Sequence, residues 1–365
     1  MAEQEMISTL EVDRKDWSKT RVDVVPLGGE LGSNEVLFKV SGLALTANNI
    51  SYASAGDSLG YWGFFPADTD WGRIPAMGWG EVVATKHSEI SIGERYWGWF
   101  PFSTHLKVQA GNVAQSGFSD VSEHRTEFAP VYAGFDHAAS NPIYQRARED
   151  HDSLLRGLFM TSWLVDDFMS VNDSFGAKVC LITSASSKTS IALGHCVSER
   201  SALEAIGITS PANMEFCESL GCYQKVISYS DIANLDASHS AVLVDMAGNA
   251  RVLSDIHHHY KDNLRHSCRI GATHHDQGGA VDGLPGAKPE FFFAPTHVRT
   301  RSAEMGAEKF MQGIGISFAA FREYTDDWLR IEHSYGAEAV ERVYQEILSG
   351  KADPASGQII SIWPK

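Results

Sequence analysis

The stretch Lys178–Val197 reads KVCLITSASSKTSIALGHCV, and more than any other segment it decides the fold of the chain. An apolar run over Val179–Ile182 stops at four small residues, Ser184–Ser187. The apolar residues that follow Lys188 then recur at the spacing of one helix face. The segment therefore predicts a buried strand, a tight turn and a helix, in that order.

A turn of this kind suits the pyrophosphate of a dinucleotide, because it presents backbone N–H groups and the positive end of a helix to the ligand. The glycines expected in such a turn are replaced here by serines, with one lysine among them. Taken alone the pattern is weak, since serine-rich turns also connect strands to helices for purely structural reasons. The cofactor contacts predicted in this turn are Ser184, Ser186, Ser187, Lys188, Thr189 and Ser190.

Strands and helices alternate from residue 178 onward, which indicates a parallel doubly wound sheet with right-handed crossovers. Residues 1 to about 110 read instead as short β segments joined by glycine-rich turns, with no long helix before residue 145. The tail predicts a helix over 302–322, then a strand, a helix and a last strand that return to the first domain. We expect an α/β protein with a β-rich domain over 1–155, completed by about 323–365, and a nucleotide-binding domain over 156–322.

Charge and cysteine content exclude several classes of function. The chain has 30 lysine and arginine residues and 46 aspartate and glutamate residues, so its net charge is 30 − 46 = −16. This acidic charge and the absence of a long basic run argue against nucleic acid and anionic membranes as partners. The acidic, polar N-terminus reads as neither a signal peptide nor a membrane span. Five scattered cysteines without a C-x-x-C motif favour a reducing compartment, so a cytoplasmic location is expected.

Five segments outside the turn carry a family resemblance to the medium-chain dehydrogenase/reductase superfamily, in its zinc-free quinone-oxidoreductase-like branch. They are NEVLFKVSGLALTANNI (34–50), IPAMGWGEVV (74–83), IGERYWGWF (92–100), ITSPANMEFCESLGCYQKVISYSD (208–231) and AVERVYQEILSGKADPASGQIISI (339–362). The motifs TANNI, YWGFFPA, TSWLVDDF and FFFAPT resemble an uncharacterised bacterial family within that superfamily. The resemblance implies a GroES-like catalytic domain, a Rossmann-type domain, NADP(H) as cofactor, a small-molecule substrate and a homodimer.

The end of the second strand bears on the choice of cofactor. An NAD site places an acidic residue there for the ribose 2′-hydroxyl, but Gly207–Ser210 contains none. NADP(H) is therefore favoured, with Thr209, Ser210 and Asn213 as donors to the 2′-phosphate. The alternative is that the Ser-Pro pair only starts the next helix. The predicted cofactor site is completed by residues that follow later strands, at the sheet edge where ligands bind: Ala247, Gly271 and Thr273.

The first domain supplies the predicted substrate site. Eleven aromatic residues fall within residues 61–102, and at least half are expected to form a β-domain core. The others predict a pocket for a flat or apolar substrate, to which the resemblance adds a polar turn at 46–49 and a helix that approaches the nicotinamide. The substrate-binding residues predicted are Thr46, Asn48, Trp62, Phe65, Trp99, Thr161 and Phe292.

Hydride transfer to a carbonyl or enone places negative charge on oxygen, which a metal or a hydrogen-bond donor must stabilise. The first domain lacks cysteine, and Met77-Gly78 stands where the zinc-binding branch has a His–Glu pair, so no catalytic metal is expected. The predicted catalytic donors are Asn49, Tyr52 and Tyr61, although an Asn-Asn pair also suits a plain turn. The sequence thus predicts a zinc-independent NADP(H)-dependent reductase; the alternative is a degenerate reductase scaffold that binds a ligand or protein without catalysis.

Overall fold

The computed structural model describes residues 5–126, 128, 130–200, 202–246, 248–270 and 283–365. The chain forms two compact units, one containing Met1–Leu154 and Leu329–Lys365 and the other Leu155–Trp328. Each unit has a hydrophobic core of its own. Among the described residues, no helix combines the length and the apolar character needed to cross a membrane.

The first unit begins as a succession of mostly antiparallel strands. They are β1 (Met6–Asp13), β2 (Thr20–Pro26), β3 (Glu35–Leu45), β4 (Trp71–Gly72), β5 (Pro75–Thr85), β6 (Arg95–Pro101), β7 (His105–Ala114), β8 (Gly117–Asp120) and β9 (Gly134–His137). Helix α1 (Ala47–Ser54) follows β3, and helix α2 (Glu149–Val171) follows β9. The expectation of β segments without a long helix before residue 145 matches this arrangement, since α1 has only eight residues.

Aromatic side chains fill the core of the first unit. The ring of Phe38 on β3 lies 5.6 Å from that of Phe100, 5.0 Å from Phe135 and 6.0 Å from Phe118, measured between centroids. All four side chains are buried. Of the aromatic residues within 61–102, the core of the first unit includes Trp62, Tyr96, Phe100 and Phe102.

The second unit contains a six-stranded sheet. Its strands are β10 (Val179–Thr183), β11 (Glu204–Thr209), β12 (Lys225–Ser228), β13 (Ala241–Asp245), β14 (Leu264–Arg269) and β15 (Pro289–Phe291). They pair in the order β12-β11-β10-β13-β14-β15, and every pair is parallel. The order reverses between β10 and β13, which opens a crevice at the carboxyl ends of these two strands.

Helices connect the strands of this sheet. They are α3 (Lys188–Arg200), α4 (Met214–Ser219), α5 (Ala250–Tyr260), α6 (Ala294–Met305) and α7 (Ala307–Thr325). The single helix expected over 302–322 is instead two helices, and the segment PEFFFAPTHV yields three strand residues before α6 begins. Gly306, with φ at 86°, separates α6 from α7, and a proline in the first turn of α6 fixes where that helix starts.

The end of the chain returns to the first unit through β16 (Arg330–Tyr335), α8 (Ala337–Leu348) and β17 (Ser356–Ser361). Strand β17 pairs with β3, and the eight-stranded sheet runs β16-β17-β3-β5-β6-β9-β8-β7. An additional pairing of β3 with β7 closes most of this sheet into a barrel. A β-rich unit with barrel-like closure and a parallel doubly wound unit confirm the predicted α/β fold class.

Candidate functional site

The turn after β10 reaches its shape without glycine. Ser184 adopts a left-handed backbone conformation, with φ at 51°. Glycine adopts this conformation without steric cost, because it has no Cβ. Its carbonyl accepts a 2.8 Å hydrogen bond from the Ser187 N–H, and its own N–H donates to the Tyr229 hydroxyl at 3.2 Å. The Ala185 N–H donates to the carbonyl of Ile208 at 3.1 Å, which joins the turn to β11. The turn is thus held by its own hydrogen bonds.

Helix α3 opens directly from this turn. The hydroxyl of Ser187 accepts from the Ser190 N–H at 3.2 Å and so caps the helix. The N–H groups of Ser186 and Thr189 have no acceptor among the residues that the structure describes. Because the helix dipole adds positive potential at this end, these two donors fit an anionic group such as the pyrophosphate of a dinucleotide.

Two of the predicted cofactor contacts hold the turn itself. Ser190 is fully buried, and its hydroxyl donates to the Thr183 carbonyl at 2.8 Å. The Ser187 hydroxyl donates to that of Ser190 at 2.9 Å while it caps the helix. Ser190 therefore stabilises the turn, and its contact with a phosphate stays a prediction. Ser184, Ser186, Lys188 and Thr189 remain partly exposed.

The end of β11 lies next to the same turn. Asn213 donates a 2.9 Å hydrogen bond from Nδ2 to the Ser186 hydroxyl. Thr209 is only 1% exposed, and its hydroxyl lies 3.5 Å from that of Ser186. The Thr209 hydroxyl thus faces the turn from a buried position, and its contact with a 2′-phosphate stays a prediction. Ser210 and Asn213 are partly exposed, and residues 209–213 include no carboxylate.

A buried carboxylate organises the other side of the crevice. Asp245, at the end of β13, accepts from the Thr183 hydroxyl at 2.8 Å and from the Gly248 N–H at 3.2 Å. The same hydroxyl accepts from the Met246 N–H at 2.9 Å. These bonds fix the carboxyl ends of β10 and β13 against each other. Three predicted cofactor contacts lie outside the described residues: Ala247, Gly271 and Thr273.

The polar turn of the first unit forms the start of α1. Thr46 is the N-cap, and its backbone N–H donates to Oδ1 of Asn49 at 2.7 Å, which completes a capping box. Nδ2 of Asn49 donates to the Pro75 carbonyl at 2.9 Å, and the side chain is only 3% exposed. Asn49 therefore joins α1 to β5, and its catalytic role stays a prediction. Asn48 lies one position earlier on α1 and is partly exposed.

Both predicted tyrosines belong to one aromatic cluster. The ring centroids of Tyr52 and Tyr61 are 4.9 Å apart, and Trp99 lies 5.4 Å from Tyr52. Tyr132, which the sequence analysis did not single out, lies 6.1 Å from Tyr61 and 5.3 Å from Trp99. Phe64 contacts Tyr61, Trp99 and Tyr132. We call these five side chains the tyrosine cluster; it brings three hydroxyl groups together against apolar walls.

Burial controls the protonation of the cluster. It raises the pKa of Tyr52 far above the usual value, although the hydrogen bond from Asn48 works in the opposite direction. Burial also raises the pKa of Tyr61, and a hydrogen bond to the Tyr132 hydroxyl raises it further. Both hydroxyls are therefore protonated at neutral pH and able to donate hydrogen bonds.

Trp62 and Phe65 serve packing in the first unit. A Cβ at Gly56 would come within 2.1 Å of the Trp62 indole and one at Gly72 within 2.4 Å, so the indole is held closely between the two glycines. Phe65 is 5% exposed and lies 5.1 Å beneath the guanidinium of Arg125. Both rings therefore contribute to packing, and their roles as substrate walls stay predictions.

Two predicted substrate contacts lie in the second unit. Thr161 is on α2, where its hydroxyl donates to the Gly157 carbonyl at 3.2 Å. Phe292 packs 5.4 Å from Phe168 and 5.7 Å from His297 and lines a cavity of about 690 Å³ formed by the second unit alone. The predicted substrate-binding roles of Thr161 and Phe292 stay predictions.

Sequence reasoning missed Tyr132 and Arg125. Arg125 is 2% exposed, and its guanidinium lies 4.9 Å from the Phe64 ring. Both residues follow the aromatic-rich region, in a stretch without a recognisable motif. In the sequence they appear as a single arginine and a single tyrosine between short strands, and nothing in that pattern distinguishes them from surface residues.

The described residues contain no group of three His, Cys, Asp or Glu side chains that could hold a metal ion. The five cysteines are buried. Burial raises the pKa of Cys222 to about 11 and that of Cys268 to about 12, so these thiols are not thiolates at neutral pH.

Comparison with solved structures shows the fold. CurA from Vibrio vulnificus matches with a TM-score of 0.60 at 12% identity, covering 99% of this chain and 100% of that chain. A mutant of Etr1p in complex with NADP and crotonyl-CoA matches with a TM-score of 0.56 at 13% identity, covering 98% and 100%. CurK enoyl reductase matches with a TM-score of 0.53 at 13% identity, covering 97% and 99%. These structures share the fold of this chain over 97–99% of its length, in agreement with the predicted fold class.

Comparison of the sequence with protein families identifies the family of this chain. No curated protein matches it. The profile of one family, described as "Protein of unknown function (DUF2855)", matches residues 43–353. Because this match covers most of the chain, the protein belongs to the DUF2855 family.

Proposed function

We propose that this protein is a zinc-independent, NADP(H)-dependent oxidoreductase of the medium-chain type that reduces a carbonyl or an activated C=C bond. The observation that carries the proposal is the pair of N–H groups at Ser186 and Thr189, which have no acceptor among the described residues and lie at the start of α3, in the crevice where the strand order reverses. CurA has been solved with NADPH, and Etr1p with NADP and crotonyl-CoA, on the same fold.

The end of β11 supports NADP(H) over NAD(H). A carboxylate at this place accepts from the ribose 2′-hydroxyl and repels a 2′-phosphate. Here Ser210 and Asn213 offer neutral donors, and Asn213 already donates to Ser186 on the turn. Lys188, on the first turn of α3, adds a positive charge for a phosphate group.

When bound, the cofactor supplies the hydride, and residues of the chain stabilise the charge that develops on the substrate. Charge that develops on the substrate oxygen requires a hydrogen-bond donor, and the tyrosine cluster offers protonated hydroxyls beside Trp99 and Phe64. Apolar ring faces next to these hydroxyls favour an enone-like or quinone-like substrate with an apolar or aromatic body.

The decisive test is a fluorescence titration of purified protein with NADPH and NADH. Wild type should bind NADPH more tightly, and Ser210→Asp should weaken NADPH by about tenfold or more while sparing NADH, because a carboxylate repels the 2′-phosphate. Ala202→Asp is the matched control, because it adds the same carboxylate at an exposed residue before β11, at the opposite end of that strand. Equal affinities of wild type for both nucleotides would remove the NADP(H) preference.

Turnover separates the enzyme from the non-catalytic alternative. Wild type should oxidise NADPH with at least one member of a panel of cyclohex-2-enone, trans-2-hexenal and menadione, and washing with a chelator should leave that rate unchanged. Protein that binds NADPH but turns over none of these would favour the ligand- or protein-binding scaffold. Stoichiometric zinc that is lost together with activity would contradict zinc independence.

A further inference from the structure

The second unit contains a cavity that the proposed function does not use. Its volume is about 690 Å³, which falls within the range of pockets that bind small organic molecules. It lies between the end of α2, strands β14 and β15, and helix α6. None of the described residues that line it belongs to the turn after β10 or to the tyrosine cluster.

Aromatic rings form one wall of this cavity. Phe168 on α2 lies 5.4 Å from Phe292, 5.6 Å from His266 and 5.6 Å from His297, measured between ring centroids. Phe292 and His297 are 5.7 Å apart. All four rings border the cavity. Such a wall favours a ligand with a flat or apolar body, and phenylalanine ring faces also attract a cation.

His266 presents an unused hydrogen-bonding group to the cavity. This residue is 8% exposed, and its ring stacks on that of Phe175 at a centroid distance of 4.2 Å. Neither ring nitrogen has a hydrogen-bond partner among the described residues. Burial lowers the pKa of His266, although Glu290 acts in the opposite direction, so the ring is neutral at pH 7 and one nitrogen can accept a hydrogen bond. A ligand that donates to this nitrogen would satisfy it.

Glu290 places a carboxylate beside His266. It lies on β15, where it pairs with Cys268 of β14 in the parallel register. Cys268 is two residues from His266, and alternate residues of a strand point to the same face, so all three side chains share one face of the sheet. All three border the cavity. Among the described residues, Glu290 has no lysine or arginine as an ion-pair partner, so its charge is available to a ligand.

The guanidinium of Arg301, which also borders the cavity, is already engaged. Its Nε donates to Asp167 at 2.8 Å, its Nη1 donates to Glu304, and its Nη2 lies 3.0 Å from the sulfur of Met305. Asp167 also accepts from Nε2 of His297 at 2.8 Å. Two carboxylates thus offset this single cation, so Arg301 does not offer a binding group for an anion.

We propose that this cavity is a binding site for an organic cation with a flat or apolar body, of the arylalkylammonium class. The ammonium group donates to the carboxylate of Glu290 and to the free ring nitrogen of His266, and the apolar body lies against Phe168 and Phe292. The site is separate from the proposed reductase function, and its test does not depend on turnover.

Three indoles that differ in charge test the ligand class, by calorimetric titration of the full-length protein at neutral pH. Tryptamine carries an ammonium group, tryptophol a hydroxyl group and indole-3-propionate a carboxylate on nearly the same body. Tryptamine should bind about tenfold or more tightly than tryptophol, because its hydrogen bonds are charge-assisted, and indole-3-propionate should bind most weakly. Equal affinity for the three compounds, or no binding of tryptamine at millimolar concentration, overturns the proposal.

Two variants that each remove one carboxylate locate the site. Glu290→Gln should weaken tryptamine binding by about tenfold and leave tryptophol binding unchanged, since it removes the charge and keeps the shape of the side chain. Glu218→Gln is the matched control, because Glu218 is an exposed residue of α4, which packs on β12 at the opposite edge of the sheet. Both variants should melt at the wild-type temperature. Equal tryptamine affinity in the two variants would place tryptamine elsewhere and contradict the proposal.

Nuclear magnetic resonance of protein with ¹³C-labelled histidine tests the contact with His266 directly. The ring C–H resonance of His266, identified by its loss in His266→Gln, should shift when tryptamine is added and stay in place when indole-3-propionate is added. A resonance that does not move at saturating tryptamine shows that His266 is not part of the site.

Discussion

The hydroxyl of Tyr223 donates a 2.8 Å hydrogen bond to the carbonyl oxygen of Ala185, inside the turn that follows β10. Tyr223 is buried, and it fits there because two neighbours lack side chains: a Cβ at Gly194 would lie 2.7 Å from its ring, and one at Gly207 would lie 3.1 Å from the ring and 2.9 Å from the Ala185 side chain. The turn itself lacks glycine, but Gly194 on α3 and Gly207 on β11 leave the space that the Tyr223 side chain occupies beside it.

Gly207→Ala should destabilise the protein by about 1–3 kcal/mol, the range for overpacking a core, and weaken NADPH binding by displacing the turn. Urea unfolding and nucleotide titration measure the two effects. Gly29→Ala is the matched control, because its Cβ meets no atom within 4 Å. Equal free energies of unfolding for the two variants would show that the turn tolerates the added methyl group.

Lys188→Ala should weaken NADPH binding by roughly ten- to a hundred-fold, as expected for one charge-assisted contact of about 1.5–3 kcal/mol. Ser184→Gly is the informative companion. Glycine adopts the left-handed conformation of this position without strain, so the variant should bind NADPH at least as tightly as wild type. Loss of binding in Ser184→Gly together with full binding in Lys188→Ala would contradict our assignment of the phosphate contacts.

Asn49→Ala should cost about 1–3 kcal/mol of stability, because it leaves the buried Pro75 carbonyl unpaired and opens the capping box of α1. The dissociation constant of NADPH should not change. Asn48→Ala serves as control for the loss of an amide on the same helix. If Asn49→Ala leaves the melting temperature unchanged but abolishes turnover, Asn49 is catalytic after all.

The alternation of strands and helices predicted most of the second unit, because buried parallel strands and amphipathic helices leave periodic patterns. Helix α3 and strand β11 lie at Lys188–Arg200 and Glu204–Thr209, close to their predicted ranges of 187–200 and 204–209. The contacts that Asn49, Trp62 and Thr209 make could not be predicted in this way. Each depends on a partner distant in sequence or on burial, such as Pro75, Gly72 and Ser186. Local patterns do not encode such contacts.

The tyrosine cluster also depends on contacts between residues that are distant in sequence. Two of its tyrosines were recognised from their place after the polar turn, whereas Tyr132 joins them through the barrel topology and the hydrogen bonds of Arg125. Barrel closure by the pairing of β3 with β7 depends on contacts between strands about 70 residues apart, which no single segment reveals.

His257 makes stability depend on pH. Burial lowers its pKa, and its Nδ1 donates to the Pro285 carbonyl at 2.9 Å while Nε2 accepts from the Ser267 hydroxyl at 2.9 Å. Below about pH 6.5 the unfolded chain binds a proton that the folded state does not, so the free energy of unfolding falls as the pH decreases. His257→Gln should flatten this dependence between about pH 7 and 5, as measured by urea unfolding. An unchanged slope would assign the effect to other histidines.

The free edge of the six-stranded sheet is the last feature with a testable consequence. Strand β15 pairs only with β14 among the described strands, and Phe291 and Phe293 beside it are 56% and 54% exposed. Exposed apolar side chains on an edge strand mark an interface, and a second copy can pair with this edge about a two-fold axis. We therefore expect a homodimer in solution.

Phe293→Glu should convert that dimer to a monomer, since it places a charge in the apolar interface. Analytical ultracentrifugation over a range of protein concentrations measures the change. Ile92→Glu, at a residue of the first unit that is 69% exposed, is the control and should remain dimeric. NADPH binding should survive in both variants, because the turn at Ser184–Ser187 is not altered. A wild type that is monomeric at every concentration, or a Phe293→Glu variant that stays dimeric, would show that this edge is not the interface.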